Sequence, residues 1–238
     1  MFAKSDDIEI TVLRELKNIQ RYLSIKTFVY KKIRLNKILY FLAYFKFKKL
    51  ASKCRSFDDY LNLVASFSFS IFNLTSHVSI MPMQIKSEIT KFCKIIAINP
   101  PKTVLEIGTA RGGTLFLLTR LSSPNALILS IDYGIGSDKP YREVFYKSFL
   151  TNKQKLYYFL RNSHLQSTLQ EIKKKLKDKK IDLLFIDGDH SYKGVKKDFE
   201  MYSPLVKKKG IIAFHDIIKA KPGFWPFKVY KFWNEIKE

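Results

Sequence analysis

After Asn99-Pro100-Pro101 the chain alternates five short apolar runs with amphipathic stretches, and this alternation restricts the fold more than any other feature. The runs are Thr103–Gly108 (TVLEIG), Ala126–Asp132 (ALILSID), Leu156–Arg161, Asp182–Asp187 (DLLFID) and Gly210–Asp216 (GIIAFHD). Helical patterns cover Gly112–Leu121, Ser163–Leu176, Tyr192–Leu205 and Phe224–Lys237. Strands buried on both faces read as unbroken apolar runs, and the helices between them impose parallel crossovers. Right-handed crossovers wind such a sheet doubly. The pattern therefore predicts an α/β, Rossmann-like, doubly wound and mostly parallel sheet over residues 100–238. Residues 1–99 read as an N-terminal helical extension and lid, because Ile10, Val12, Leu13, Leu16, Ile19 and Leu23 recur at near three- and four-residue steps.

Open parallel sheets bind ligands beyond the carboxyl ends of their strands. The chemically active residues fall there: Gly108, Asp132, Asn162, Asp187, His215 and Asp216. The first turn reads Glu106-Ile107-Gly108-Thr109-Ala110-Arg111-Gly112-Gly113. Gly108 permits a tight turn, and Gly112 and Gly113 admit a ligand to the backbone and to the next helix's N-terminus. A dinucleotide fingerprint would be GxGxxG; this chain has GxxxGG, and Glu106 beside it would repel a pyrophosphate. Asp132, ending the second run, suits two ribose hydroxyls. Together these features fit an adenosine that carries an amino-acid tail and no phosphate, which describes S-adenosylmethionine.

With these motifs the sequence resembles the class I S-adenosylmethionine-dependent methyltransferases over about residues 100–238. It is most similar to the group of cephalosporin-hydroxylase-like and macrolide or rhamnosyl O-methyltransferase-like proteins. The resemblance rests on VLEIGTARGGT (104–114), LSIDYG (129–134), LLFIDGDHSYKGVKKDF (183–199), GIIAFHDI (210–217) and FWNEIK (232–237). It implies that Glu106, Gly108, Thr109, Ala110, Gly112 and Gly113 hold the methionine part and that Asp132 holds the ribose. The donor site also takes in Asp187. Asn162 and Ser163 would flank adenine, where relatives often carry Asp-Ser-His and this chain has Asn162-Ser163-His164. Relatives bind magnesium through an acid at the position of Asp187 and an acidic pair at 215–216. Here the first of that pair is His215, so the metal set reduces to Asp187 and Asp216. Relatives also end in an antiparallel hairpin, whereas this sequence stops just past FWNEIK: either the hairpin is absent or the sequence is truncated, and absence would leave the fifth strand's edge open to a second copy or to aggregation.

Transfer to oxygen needs an aligned hydroxyl and a base for its proton. His190 is the first choice, since imidazole titrates near neutral pH, and His215 the second. Asp187 completes the catalytic set, and Asp187 and Asp189 are also suited to capping the helix near Ser191. Tyr192 and Lys193 read as packing and positioning residues, His77 as a packed histidine, and Trp225 and Trp233 as core or lid aromatics.

The net charge is +22, with Arg only at 14, 21, 34, 55, 111, 120, 142 and 161 among 43 basic residues. A Lys-dominated excess suits a solvated surface at least as well as nucleic-acid readout, which favours the forked guanidinium. Residues 30–53 interleave Lys with Ile, Leu, Tyr and Phe and are suited to lying on an anionic membrane. Tyr60–Ile85 has no charged residue but too many polar ones for a spanning segment, and reads as a packed helix or lid. Two cysteines, Cys54 and Cys93, exclude a disulfide scaffold. The expected setting is cytoplasmic, peripheral to the membrane at most. The expected function is O-methylation of a small-molecule or glycan hydroxyl. An RNA methyltransferase and a non-catalytic, membrane-associated nucleotide-binding module are the alternatives.

Overall fold

The computed structural model describes residues 35–71, 77–134, 139–151, 153–219 and 227–237. The periodicity at 10–23 and Trp225 lie outside them. A helix over 35–51 (α1) and α2 (Phe57–Ser66) lead to an antiparallel hairpin, β1 (Ser68–Ser70) and β2 (His77–Ser79). Next come α3 (Lys86–Ile98), β3 (Thr103–Ile107), α4 (Gly113–Leu121), β4 (Leu127–Asp132) and α5 (Lys139–Tyr146). The chain continues with β5 (Lys155–Leu160), α6 (Gln166–Leu176), β6 (Ile181–Ile186), α7 (Tyr192–Tyr202), β7 (Val206–Phe214) and α8 (Val229–Ile236). Five parallel strands lie in the order β5-β4-β3-β6-β7. The chain runs outward from β3 to β5 and then crosses back to β6. A crevice therefore opens beside β3, where a ligand site is expected.

Side chains of the central strands alternate between two cores. Val104, Ile128 and Leu183 face a layer built from α1 to α5, and Leu105, Ile107, Leu129 and Leu184 face α6, α7 and α8. The described part of residues 1–99 is thus one wall of the sheet's own core, not a module laid over it. Phe47 of α1 is fully buried at its centre, with ring centroids 4.9 Å from Phe67, 5.0 Å from Phe116 and 5.0 Å from Phe149. The chain enters α2 through a capping box in which Ser56 accepts from the Asp59 N–H and Asp59 accepts from the Ser56 N–H, a motif whose cap residue is typically worth about 1 kcal/mol.

Three expectations are corrected. Tyr60–Ile85 is not one packed helix: α2 stops at Ser66, and the polar–apolar alternation of Ser68-Phe69-Ser70 and His77-Val78-Ser79 makes strands instead. His77 is exposed, because the buried position of its strand is Val78. The last strand starts at Val206, not Gly210. A bulge between the pairs Ile181↔Val206 and Leu183↔Ile211 absorbs Lys207–Gly210, with Lys209 at φ 63°. No strand pairs with the outer edge of β7 among the described residues. Exposed Lys207, Lys208 and Lys209 stand along that edge, a placement that discourages strand addition. Cys54 and Cys93 are both free thiols.

Candidate active site

Glu106 ends the buried run of β3, and Ser130 is its register partner on β4. Ser130 Oγ donates to Glu106 Oε2 at 2.6 Å, so the 2.5 Å contact between Thr109 and Ser130 has the Thr109 hydroxyl donating. This relay fixes the carboxyl and leaves Oε1 buried without a partner. Burial, with Asp187 and Asp132 adding to it, raises the Glu106 pKa to about 8 despite the Ser130 bond. A buried carboxyl with one orphaned oxygen is poised for a cationic partner.

The turn after Glu106 requires its glycines. Gly108 has φ 95°, and a side-chain carbon there would stand 2.0 Å from the Asp187 carbonyl oxygen. Gly112 has φ 89° and lies under the Tyr146 ring, 2.4 Å from where a Cβ would be. Gly112 caps α4, and Gly113 begins it. Ala110 is also left-handed, at φ 46°. It is held there by its N–H donating to Asp132 Oδ2 at 2.6 Å, and by Arg142 (2.5 Å) and Tyr146 (3.1 Å) donating to its carbonyl. Asp132 therefore stabilises the turn with one carboxylate oxygen, Oδ2. Asn162 and Ser163 follow β5 as expected, but Asn162 Oδ1 accepts from the His164 N–H at 2.8 Å. His164 in turn lies 3.3 Å from Asp198, fully buried in α7. The 162–164 loop is thus tied to α7, and one acceptor site of Asn162 is already in use.

Beyond β6 and β7 the structure brings Asp187, His190, His215 and Asp216 together. His190 Nδ1 is 2.7 Å from Asp216 Oδ2, and His215 Nδ1 is 3.1 Å from Asp187 Oδ1 and 3.3 Å from Asp216 Oδ1. Burial disfavours a charged His215, but the two carboxylates outweigh it and push its pKa up to about 10. Asp216 raises the His190 pKa against burial, and Asp187 adds to this. Burial alone would raise Asp216, yet the two imidazoles hold its carboxyl well below the usual range. At neutral pH His215 is therefore a fixed cation, which leaves His190 as the group able to take up a proton. With Nδ1 facing Asp216, its accepting atom is Nε2. The His190 ring stacks on Phe227 at 4.4 Å, and its carbonyl accepts from the Lys228 N–H. Asp189 accepts from the Ser191 N–H, and Ser191 caps α7; Asp187 takes no part in capping.

Sequence reasoning missed Gln84. Its amide donates to Asp187 Oδ2 at 2.6 Å, and its carbonyl accepts from Thr114 of α4 at 3.0 Å. The one available signal was a lone amide among Met81, Pro82, Met83 and Ile85 in the uncharged stretch. Tyr192 packs against α8, its hydroxyl donating to Glu235. A cavity of about 170 Å³ joins the turn to this cluster, with Gly108, Thr109, Thr114, Asp187 and His190 in its wall.

Asp187, His190 and Asp216 each bring a ligand atom within 4.8 Å of the others, a spacing open to a cation. The donor set does not suit magnesium, which prefers an all-oxygen shell. The His215 cation already offsets one of the two carboxylate charges. A nucleoside with an ammonium-bearing tail does fit: Glu106 Oε1 is an orphaned acceptor, and the glycine turn admits no side chain.

Residues 105–217 match a family described as "Methyltransferase domain". An uncharacterized protein of Sinorhizobium fredii is 28% identical over 141 residues, 57% of this chain and 15% of that protein. An uncharacterized protein of Acanthamoeba polyphaga mimivirus is 56% identical over 36 residues, 15% of this chain and 16% of that protein. The chain thus spans under a fifth of the curated relatives it matches. In fold it is similar to the solved O-methyltransferase TomG of Streptomyces achromogenes. The TM-score is 0.51 at 12% identity, over 79% of this chain and 81% of that one.

Proposed function

We infer that residues 105–217, which match a methyltransferase-domain family, bind S-adenosylmethionine and methylate a hydroxyl oxygen of a small-molecule acceptor. The observation that carries this reading is a single cavity bounded by both the glycine turn and the His190–Asp216 pair. When bound, S-adenosylmethionine supplies a methyl group on positively charged sulfur, which departs as a neutral thioether once an oxygen has taken the methyl. Glu106 Oε1 accepts from the donor's ammonium and Asp132 from its ribose, while the 162–164 loop borders adenine. His190 Nε2 takes the hydroxyl proton, and Asp216 stabilises the imidazolium formed. Gln84 and His215 hold Asp187 in place beside the reacting atoms.

Glu106 gives the first test. Its pKa near 8 keeps most of it protonated at pH 7, whereas an ammonium beside it favours the carboxylate. Donor binding at pH 7 therefore releases a proton, read by calorimetry in two buffers of different ionisation enthalpy. Glu106→Gln binds more weakly and releases none. Absence of S-adenosylmethionine binding at millimolar concentration defeats the enzymatic reading. The free protein carries the opposite sign. Burial favours the protonated form, so Glu106 lowers stability progressively as pH rises from 4.5 toward about 8. Glu106→Gln removes that part of the decline in thermal melts.

The face of α1 supports work at an anionic membrane surface. Leu35, Ile38, Phe41, Leu42 and Phe45 are exposed on the side opposite buried Leu39, Ala43 and Phe47. Lys37, Lys46, Lys48 and Lys49 accompany them, and residues 35–51 contain no acid. No described helix is long and apolar enough to cross a membrane. An apolar stripe bordered by Lys is suited to lying in the headgroup region, where each lysine adds about 1 kcal/mol against acidic lipid. The protein should float with phosphatidylserine vesicles and not with phosphatidylcholine vesicles, and Phe41→Ser with Phe45→Ser should abolish flotation. Equal recovery of this double variant and the parent defeats the reading.

A further inference from the structure

A second and much larger cavity, about 700 Å³, opens beside the catalytic one and shares Met83, Gln84, His215, Asp216 and Phe227 with it. One wall is Ile85, which precedes α3, with Ile89 and Phe92 of that helix, spaced at four and three residues. The floor is the end of the sheet, where Phe185 of β6 lies in register with Ala213 of β7. The Phe92 and Phe185 rings stand 5.1 Å apart at 30°. Ala213 is the small residue in this floor, and its short side chain leaves the volume above it open. Ile217 and Ile218 close the far side.

Polar groups are confined to the end shared with the His190 cluster, and to Glu88 and Lys219. Met83, Ile85 and Ile218 are 77%, 62% and 73% exposed around it. Exposed apolar side chains gathered about one cleft mark a place that an apolar ligand covers. We propose that this cavity takes the acceptor, and that the acceptor carries its reacting hydroxyl on an apolar, ring-bearing skeleton, not on a sugar. The proposal rests on the methyl-transfer reading for the direction in which the hydroxyl points.

The energetics separate the two acceptor classes. A sugar in this space would leave hydroxyls unpaired against Phe92, Phe185 and Ile89, each at the cost of desolvating a polar group. An apolar ring gains in proportion to the apolar surface it removes from water. It also places its one hydroxyl at the polar end, within the domain of His190.

The test uses two probes, 2-naphthol and methyl glucoside, with the full chain. Binding is measured by calorimetry with and without S-adenosylmethionine, and methyl transfer is measured in parallel. The expected result is that 2-naphthol binds about 100-fold or more tightly than methyl glucoside, a gap of the size expected from two unpaired hydroxyls. Ala213→Phe, which fills the floor, should weaken 2-naphthol about tenfold or more while donor affinity stays unchanged. Should Ala213→Phe not fold, Ile218→Asp puts a charge on the exposed rim and should weaken 2-naphthol in the same way. Methyl glucoside binding as tightly as 2-naphthol, or 2-naphthol binding untouched by both substitutions, overturns the proposal. A protein that binds 2-naphthol in this Ala213-dependent way but never binds the donor keeps the pocket and loses the methyl-transfer reading instead.

Discussion

Replacing His190 with alanine lowers kcat by about 10²- to 10⁴-fold, the usual worth of a positioned general base. Donor affinity, measured by calorimetry, should change little, since the turn at 108–113 and Glu106 are intact. The pH profile carries a second signature. His190 must be neutral to accept a proton, and Asp216 raises its pKa, so activity is lost as pH falls through that raised value. Asp216→Asn removes the support and moves the acid limb of kcat to lower pH. A His190→Ala enzyme within twofold of the parent shifts the assignment away from this residue. His215 is a poor substitute, because the two carboxylates beside it keep it protonated at neutral pH.

Phe47→Ala lowers the free energy of unfolding by about 3–5 kcal/mol, the range for a buried aromatic truncated to a methyl. The ring sits within 5.6 Å of four other phenylalanine rings and is fully buried, so nothing nearby can move in to fill the space. Denaturant titration of both proteins checks the figure. A loss under 1 kcal/mol would mean that α1 is not the wall of the core described above.

The parallel sheet was legible because strands buried on both faces have no choice but continuous apolar residues, and all five strands end within about two residues of the places read from sequence. Asp132, Asp187 and the His215-Asp216 pair stand at the C-terminal ends of their strands, where the sequence put them, and Glu106 lies buried near the end of β3. The hairpin escaped detection because strands of three residues carry almost no periodic signal. Helix α5 escaped because it follows a stretch whose composition gave no clear start, and α3 was read only as part of the helical extension over 1–99, without its own bounds. Helix α3 has no side-chain cap at Ile85. What residues 162–164 do could not be read either. Their partner Asp198 lies far along the chain, inside a motif that otherwise resembles a lysine-rich surface helix. The same holds for His215: nothing in the sequence states that one imidazole would sit between two carboxylates.

Gln84 has a consequence for how this protein can change. One amide reaches across from the segment after the hairpin and grips Asp187 on one side and Thr114 on the other. The segment that follows the hairpin is therefore mechanically geared to Asp187 and to the start of α4. Drift in the hairpin would be felt as altered turnover long before it was felt as misfolding.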